Sequence, residues 1–282
     1  MQNAKINTEK KAIHHYLKFG IKENRKTHKI NIKNTIEPVS ITNFINLSKQ
    51  IYVSEGLIMF KKRLKKKFYL KDYNNLDTSS FFFGCYTTKD LEIINNHKNL
   101  KIVIWGGEDC NSKHKHSRDT LNQIKEINNI IHLSISKNIY NSLKKENIQS
   151  VLIHFNLVDN SIFYPIPKKE LGKSVFIFNG QKKGREHIYG EKYYKEVIKN
   201  LPEYKFIFSN ELNTKWEKMP DIYRQCFIML RLTSHDGNAN SVQECKAMNI
   251  PVIHNQSDYG LKWKNVKDII NHINKNYNLT FV

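Results

Sequence analysis

Short apolar runs alternate with amphipathic stretches along most of the chain. Residues 51–53, 81–83, 101–105, 131–135 and 151–155 are dominated by Ile, Val, Phe, Leu and Trp and are too short for buried helices, so they read as strands. Residues 89–96, 120–127 and 137–147 carry apolar side chains at spacings of three and four and read as helices between them. The rhythm resumes with strands at 175–178, 204–208 and 227–232 and helices at 189–200, 219–225 and 264–274. Strands that alternate with helices imply an α/β fold with a mostly parallel sheet. Residues 165–173 are rich in Pro and Lys and lack any period, which places a domain boundary there. Near the start, Ile13, Tyr16, Leu17 and Ile21 recur at helical spacing around Gly20, and a polar linker follows over 26–38. The expected division is a helical segment at 1–30, a first domain at 31–168 and a second at 169–282.

The stretch from Arg231 to Ile253 departs from this rhythm. An apolar strand ends in polar residues, and Gly237 breaks it. Asn240 or Ser241 is placed to cap a helix beginning near Val242. That helix stops near Asn249, and Pro251 opens another strand. A Gly-containing loop between a strand's C-terminal end and a helix start is where open α/β sheets bind ligands. Its unpaired N–H groups and the helix dipole favour a phosphate. Two acids stand eight residues apart here, Asp236 before the helix and Glu244 inside it.

This pattern resembles the donor-site signature of GT-B glycosyltransferases similar to family 4. In that family an acid and a Gly lead through a loop into E-A-M-x-x-G-x-P-V-I. This chain has Asp236-Gly237, then Glu244-Cys245-Lys246-Ala247-Met248-Asn249-Ile250-Pro251-Val252-Ile253. The acid spacing matches the family's E-x7-E. The first acid is Asp where the family has Glu, and Ile250 replaces the Gly before the Pro. Val158-Asp159, Phe163 and Pro165 also resemble the family's G-V-D-x-x-x-F-x-P, with Leu157 at the Gly. The resemblance implies two Rossmann-like domains with parallel sheets facing across a cleft, plus the short N-terminal helical segment. It implies transfer of a sugar from a nucleoside-diphosphate sugar to a glycan, lipid or protein acceptor, with retention and without a metal. No cofactor is expected beyond that donor.

By the same resemblance, Glu244 would hold ribose hydroxyls and Asp236 the transferred sugar. Backbone N–H groups across Gly237, Asn238, Asn240 and Ser241 would meet a phosphate. The leaving diphosphate also needs cations. The resemblance implies a Lys or Arg pair after the second domain's first strand: Arg185 and Lys192 are the candidates, with Lys183 a third; Lys183 and Arg185 lie in the Gly-rich loop 179–185 and Lys192 in the helix after it. In the first domain, Gly106-Gly107-Glu108-Asp109 follows a strand. Glu108 or Asp109 is a candidate to contact acceptor or sugar, and would be the base if the reaction inverts.

Charge adds an alternative. Lys and Arg outnumber Asp and Glu by 46 to 26, a formal charge of +20. Such a field suits nucleotide diphosphates, anionic acceptors, acidic membrane faces or nucleic acid. A polyanion- or nucleic-acid-binding protein, or a glycosyltransferase-like module without turnover, is therefore the competing reading. No nucleic-acid motif supports specific nucleic-acid binding. The helix at 55–67 ends in Lys61-Lys62-Arg63-Leu64-Lys65-Lys66-Lys67 and could lie on anionic lipid. No window of about 18 apolar residues predicts a membrane span, and the N-terminus lacks an apolar signal core. Cys85, Cys110, Cys226 and Cys245 lack C-x-x-C spacing and read as reduced and buried. A cytoplasmic protein, with peripheral membrane contact open, is the resulting expectation.

Overall fold

Strands wholly apolar on both faces need cover on both faces, which is the condition for a parallel sheet flanked by helices. A computed structural model shows that arrangement twice. It describes residues 38–74, 76–180, 184–257 and 259–281; the helical segment expected at 1–30 lies outside them. The chain forms two compact units. One takes the described residues up to Ser134 together with Tyr140–His154, and the other takes Ile135–Ile139 together with Phe155 onward.

The first unit holds strands β1 (Val39–Ser40), β2 (Gln50–Val53), β3 (Lys71–Asp72), β4 (Ser80–Phe83), β5 (Lys101–Trp105), β6 (Ile130–Ser134) and β7 (Ser150–His154). They form one parallel sheet in the order β1-β7-β6-β5-β4-β2-β3. All five residues of β5 are buried. The helices are α1 (Thr42–Ile45), α2 (Lys61–Phe68), α3 (Thr88–Asn96), α4 (Lys115–Ile124) and α5 (Lys137–Lys145). Two features depart from the sequence reading. The two-residue strands β1 and β3 are too short to leave a period. The basic helix at 55–67 is a 3-10 helix over Glu55–Phe60 that passes into α2.

The second unit has a four-stranded parallel sheet of β8 (Ser174–Ile177), β9 (Lys205–Phe208), β10 (Cys226–Leu230) and β11 (Val252–Ile253), in the order β11-β10-β8-β9. Its helices are α6 (Glu191–Asn200), α7 (Met219–Tyr223), α8 (Asn240–Ala247) and α9 (Val266–Phe281). The last helix was expected to stop near residue 274. It continues because Tyr277 and Phe281 pack edge-on against the ring of Phe227, 5.4 and 6.0 Å away between centroids. Phe163, Ile166 and Leu171 belong to this unit's core, with Val175, Phe227 and Met248. The change of unit at Phe155 therefore precedes the Pro- and Lys-rich break at 165–173. The Pro and Lys residues of that break are mostly exposed, while its Ile166 and Leu171, like Phe163 before it, are buried in the second core.

In both sheets the chain leaves one strand to one side and re-enters on the other. In the first unit this happens between β2 and β4, and in the second between β8 and β10. The C-terminal ends of such strand pairs are where open α/β sheets admit ligands. Among the described residues, no helix is long and apolar enough to cross a membrane.

Candidate donor site

The reversal point of the second unit is built around Arg231, the residue that follows β10. Phe178 follows β8, and its N–H donates to Leu230 O at 2.9 Å, which brings the two strand ends together. The Arg231 guanidinium lies 4.0 Å above the centroid of the Phe178 ring and 5.3 Å from that of Tyr189. Its Nε donates to Asp236 Oδ2 at 2.5 Å, and its Nη1 to Ser241 Oγ at 3.3 Å. Arg231 is only 8% exposed. A cation at that depth persists because a carboxylate, a hydroxyl and two aromatic faces replace the water it has lost. Its Nη2 has no acceptor among the described residues.

Asp236 is thereby fixed through one carboxylate oxygen. Oδ1 accepts no hydrogen bond from the described residues and is the atom open to a ligand hydroxyl. His254 sits below the pair, buried, with Nδ1–H donating to the Arg231 carbonyl at 3.0 Å. Burial lowers its pKa from the usual value, which keeps a second positive charge from forming beside the guanidinium.

The helix beyond the loop starts at Asn240, two residues earlier than its sequence suggests, and its cap is Ala239. Neither Asn240 nor Ser241 caps it. Both lie in the first turn, and Ser241 Oγ is taken by Arg231. Alanine has no side chain to accept from the first N–H groups, a choice that costs roughly 0.5–2 kcal/mol relative to Ser or Asp. Asn238 anchors the loop instead: its Nδ2 donates to Phe155 O at 2.6 Å, and its Oδ1 accepts from Gln243. The result is an uncapped eight-residue helix start beside a buried guanidinium. Both features attract an anion.

Glu244 projects from α8 into the unit and is 4% exposed. Trp216 Nε1 donates to its Oε1 at 2.6 Å, and Tyr223 OH to its Oε2 at 3.0 Å. Burial, reinforced by this carboxylate, pushes the Tyr223 phenol well above its ordinary pKa, so it stays a donor. Both oxygens of Glu244 are thus engaged by donors from α7 and the segment before it.

The cation candidates separate. Arg185 is exposed and stands at the start of the 3-10 helix Glu186–Tyr189, which carries Tyr189. A side chain added at Gly180, whose φ of +104° favours glycine, would meet both the Tyr189 ring and Arg185 Cβ. Arg185 is therefore at the edge of the Arg231 cluster. Lys192 is not: it lies over the ring of its neighbour Tyr193, 4.7 Å from the centroid, and lines a shallow basin with Lys264 and Lys267. One turn of α6 carries it away. Lys183 lies outside the described residues.

The two acids of the first unit divide as well. Asp109 is 1% exposed and accepts from three backbone N–H groups: Cys85 at 3.1 Å, Gly106 at 3.1 Å and Gly107 at 2.7 Å. Burial raises its pKa, and those N–H groups pull it back. Gly107 takes φ of +139°, which lets the backbone fold over the carboxylate. Asp109 is thus an internal acceptor that ties the ends of β4 and β5 together, and it is not placed to contact a sugar. Glu108 is exposed and pairs with His114 Nε2 at 3.1 Å. Among the described residues, no three His, Cys, Asp or Glu side chains are grouped to hold a metal ion.

No protein-family model and no curated protein matches this chain. Among solved structures, the chain is similar to the sucrose-phosphate synthase of Thermosynechococcus elongatus at 12% identity and a TM-score of 0.48, over 83% of this chain and 68% of that one.

Arg231 is the residue that sequence reasoning passed over. In sequence it is only the polar end of a strand, and the basic loop 179–185 and the helix after it offer more conspicuous cations. The signal was present: a basic residue closes the wholly apolar run of β10, five positions before Asp236. The partners of Glu244, Trp216 and Tyr223, carried no such mark, because only the fold brings them to α8.

Proposed function

We propose that this chain is a glycosyltransferase that moves a sugar from a nucleoside-diphosphate sugar to a glycan, lipid or protein acceptor. The observation that carries this reading is the Arg231–Asp236 pair, joined by Ser241 at an uncapped helix start on the strand-order reversal of the second unit. Sugar transfer needs the hydroxyls fixed and the diphosphate leaving group stabilised. Asp236 Oδ1 accepts a hydroxyl of the transferred sugar. Arg231 Nη2 and the first N–H groups of α8, from Asn240 and Ser241, face the diphosphate, and Arg185 supplies a further cation from the rim. Gly237 leaves room for backbone approach. Glu244, held by Trp216 and Tyr223, is assigned to the ribose hydroxyls. These donors supply the charge stabilisation without a metal, and a retaining course needs no dedicated base. Of Glu108 and Asp109, Glu108 is the exposed one and is assigned to the acceptor.

The test is release of nucleoside diphosphate from a panel of UDP-, GDP-, TDP- and ADP-sugars with simple glycan acceptors. One donor should turn over, and Asp236→Asn should lower kcat about 100-fold, the range for an interaction that fixes a reacting group. Turnover that is indifferent to Asp236→Asn, or binding without turnover for every donor, would contradict the proposal.

A further inference from the structure

We propose that the segment from Glu55 to Tyr69 in the first unit is a docking face for anionic lipid. In this assignment Ile58 and Met59 enter the boundary between headgroups and acyl chains, and Lys62, Lys66 and Lys67 lie on headgroup phosphates and carboxylates. The observations are those of surface exposure and charge. The 3-10 helix Glu55–Phe60 has no buried residue, and Ile58 and Met59 are 53% and 51% exposed. Leu64 and Phe68 turn the following helix α2 toward the core, which leaves Lys62, Lys66 and Lys67 exposed. Positions 62 and 66 stack on one face, one turn beyond Met59. Lys61 and Lys65 turn aside and grip Asp72 at 2.8 and 2.6 Å. Six basic residues share the segment with one acid, Glu55.

The far end repeats the pattern. Tyr69 closes α2 in the left-handed conformation, with φ of 53°, and its ring is 88% exposed. Glycine is the usual residue there. The chain accepts that backbone cost and sets an aromatic ring in water beside its lysines. Tyrosine at such a position suits a membrane–water interface, where the ring is buried and the hydroxyl stays wet. Nucleic acid would use the lysines and Tyr69 but offers nothing to the exposed aliphatic pair. A lipid surface uses all three.

Sedimentation of the full chain with extruded vesicles decides this, and needs no nucleotide. The protein should pellet with phosphatidylcholine vesicles containing roughly one-third phosphatidylserine and stay in solution with pure phosphatidylcholine. Reversing three charges, with Lys62→Glu, Lys66→Glu and Lys67→Glu together, should weaken partitioning about 100-fold or more, since each lysine near the surface supplies about a five-fold factor. The pair Ile58→Ser and Met59→Ser should abolish the part of binding that survives high salt. All five positions are exposed, so an unchanged thermal midpoint verifies each variant's fold. Equal partition onto neutral vesicles would overturn the proposal, as would insensitivity to both variants. So would absence of vesicle binding while the same lysines bind single-stranded RNA.

Discussion

The two units reverse strand order in the same way and spend their acids differently. At the β2/β4 reversal, Asp90 accepts from Tyr52 OH and Ser54 Oγ at 2.7 Å and from the backbone of Tyr86 and Thr87 at 2.8 Å. Nearby, Asp109 is enclosed by three backbone N–H groups. Both carboxylates serve to fold loops. At the β8/β10 reversal, Asp236 is held by one oxygen through a side chain, beside a helix whose first N–H groups have no cap. A saturated acid serves the architecture, whereas an acid fixed at one oxygen beside open donors keeps the capacity that the proposed ligand site needs. Topology marks both places, and hydrogen-bond saturation tells them apart.

Asp109 is the acid whose loss should cost the fold most. Replacing it with Ala leaves three buried N–H groups without an acceptor, and the first unit should lose about 3 kcal/mol or more, read as a fall in the urea midpoint. Asp109→Asn keeps one acceptor and should recover part of that loss. A change in turnover with no change in stability would show Asp109 to be a site residue after all.

A pH titration sharpens the same contrast. His132 is buried under Trp105, whose Nε1 donates to its Nδ1 at 3.2 Å, and burial lowers its pKa to about 4. The folded chain keeps this imidazole neutral while the unfolded chain protonates it near 6.5. Stability is therefore complete above about pH 6.5 and declines as pH falls toward 4, by roughly 3 kcal/mol from this group. Asp90, whose carboxyl is held below its usual range by the hydroxyl and N–H groups that offset its burial, adds a loss at lower pH still. His132→Gln should flatten the upper part of the curve; an unchanged slope between pH 6.5 and 4 would assign it elsewhere.

Smaller effects belong to the second unit. Arg231→Ala should weaken nucleotide-sugar binding about 100-fold, near 2.7 kcal/mol, and Arg231→Lys about 10-fold, because lysine keeps the charge and loses the planar fork. Arg185→Ala should cost a few-fold as an exposed rim cation. Lys192→Ala, set apart over Tyr193, should change affinity less than about two-fold. Titration calorimetry ranks all four, and equal losses for Arg185 and Lys192 would mean that the basin beside α9 takes part in binding.

Much of this was legible in the chain. The apolar runs at 101–105 and 227–232 gave strands because parallel strands need no polar face. The acid, Gly and helix pattern at 236–248 marked the loop between β10 and α8 because a loop between strand and helix has a local signature. The roles within it were not local. Asn240 has the chemistry of a cap, but the helix starts at Asn240 itself, so the cap falls on Ala239. Asp109 reads like Asp236 in sequence, and only the fold shows Gly106, Gly107 and Cys85 closing over it. Lys192 shares Arg185's loop-side position, yet one helical turn removes it.

The central claim is that the Arg231–Asp236 cluster binds the diphosphate end of a nucleotide sugar. Calorimetric titration of the full chain with UDP-, GDP-, TDP- and ADP-sugars, alongside Arg231→Ala, tests it most directly. The account predicts selective binding of one donor, weakened about 100-fold in the variant while its fold is retained. Binding of equal strength in both proteins, or no binding of any donor, would contradict it.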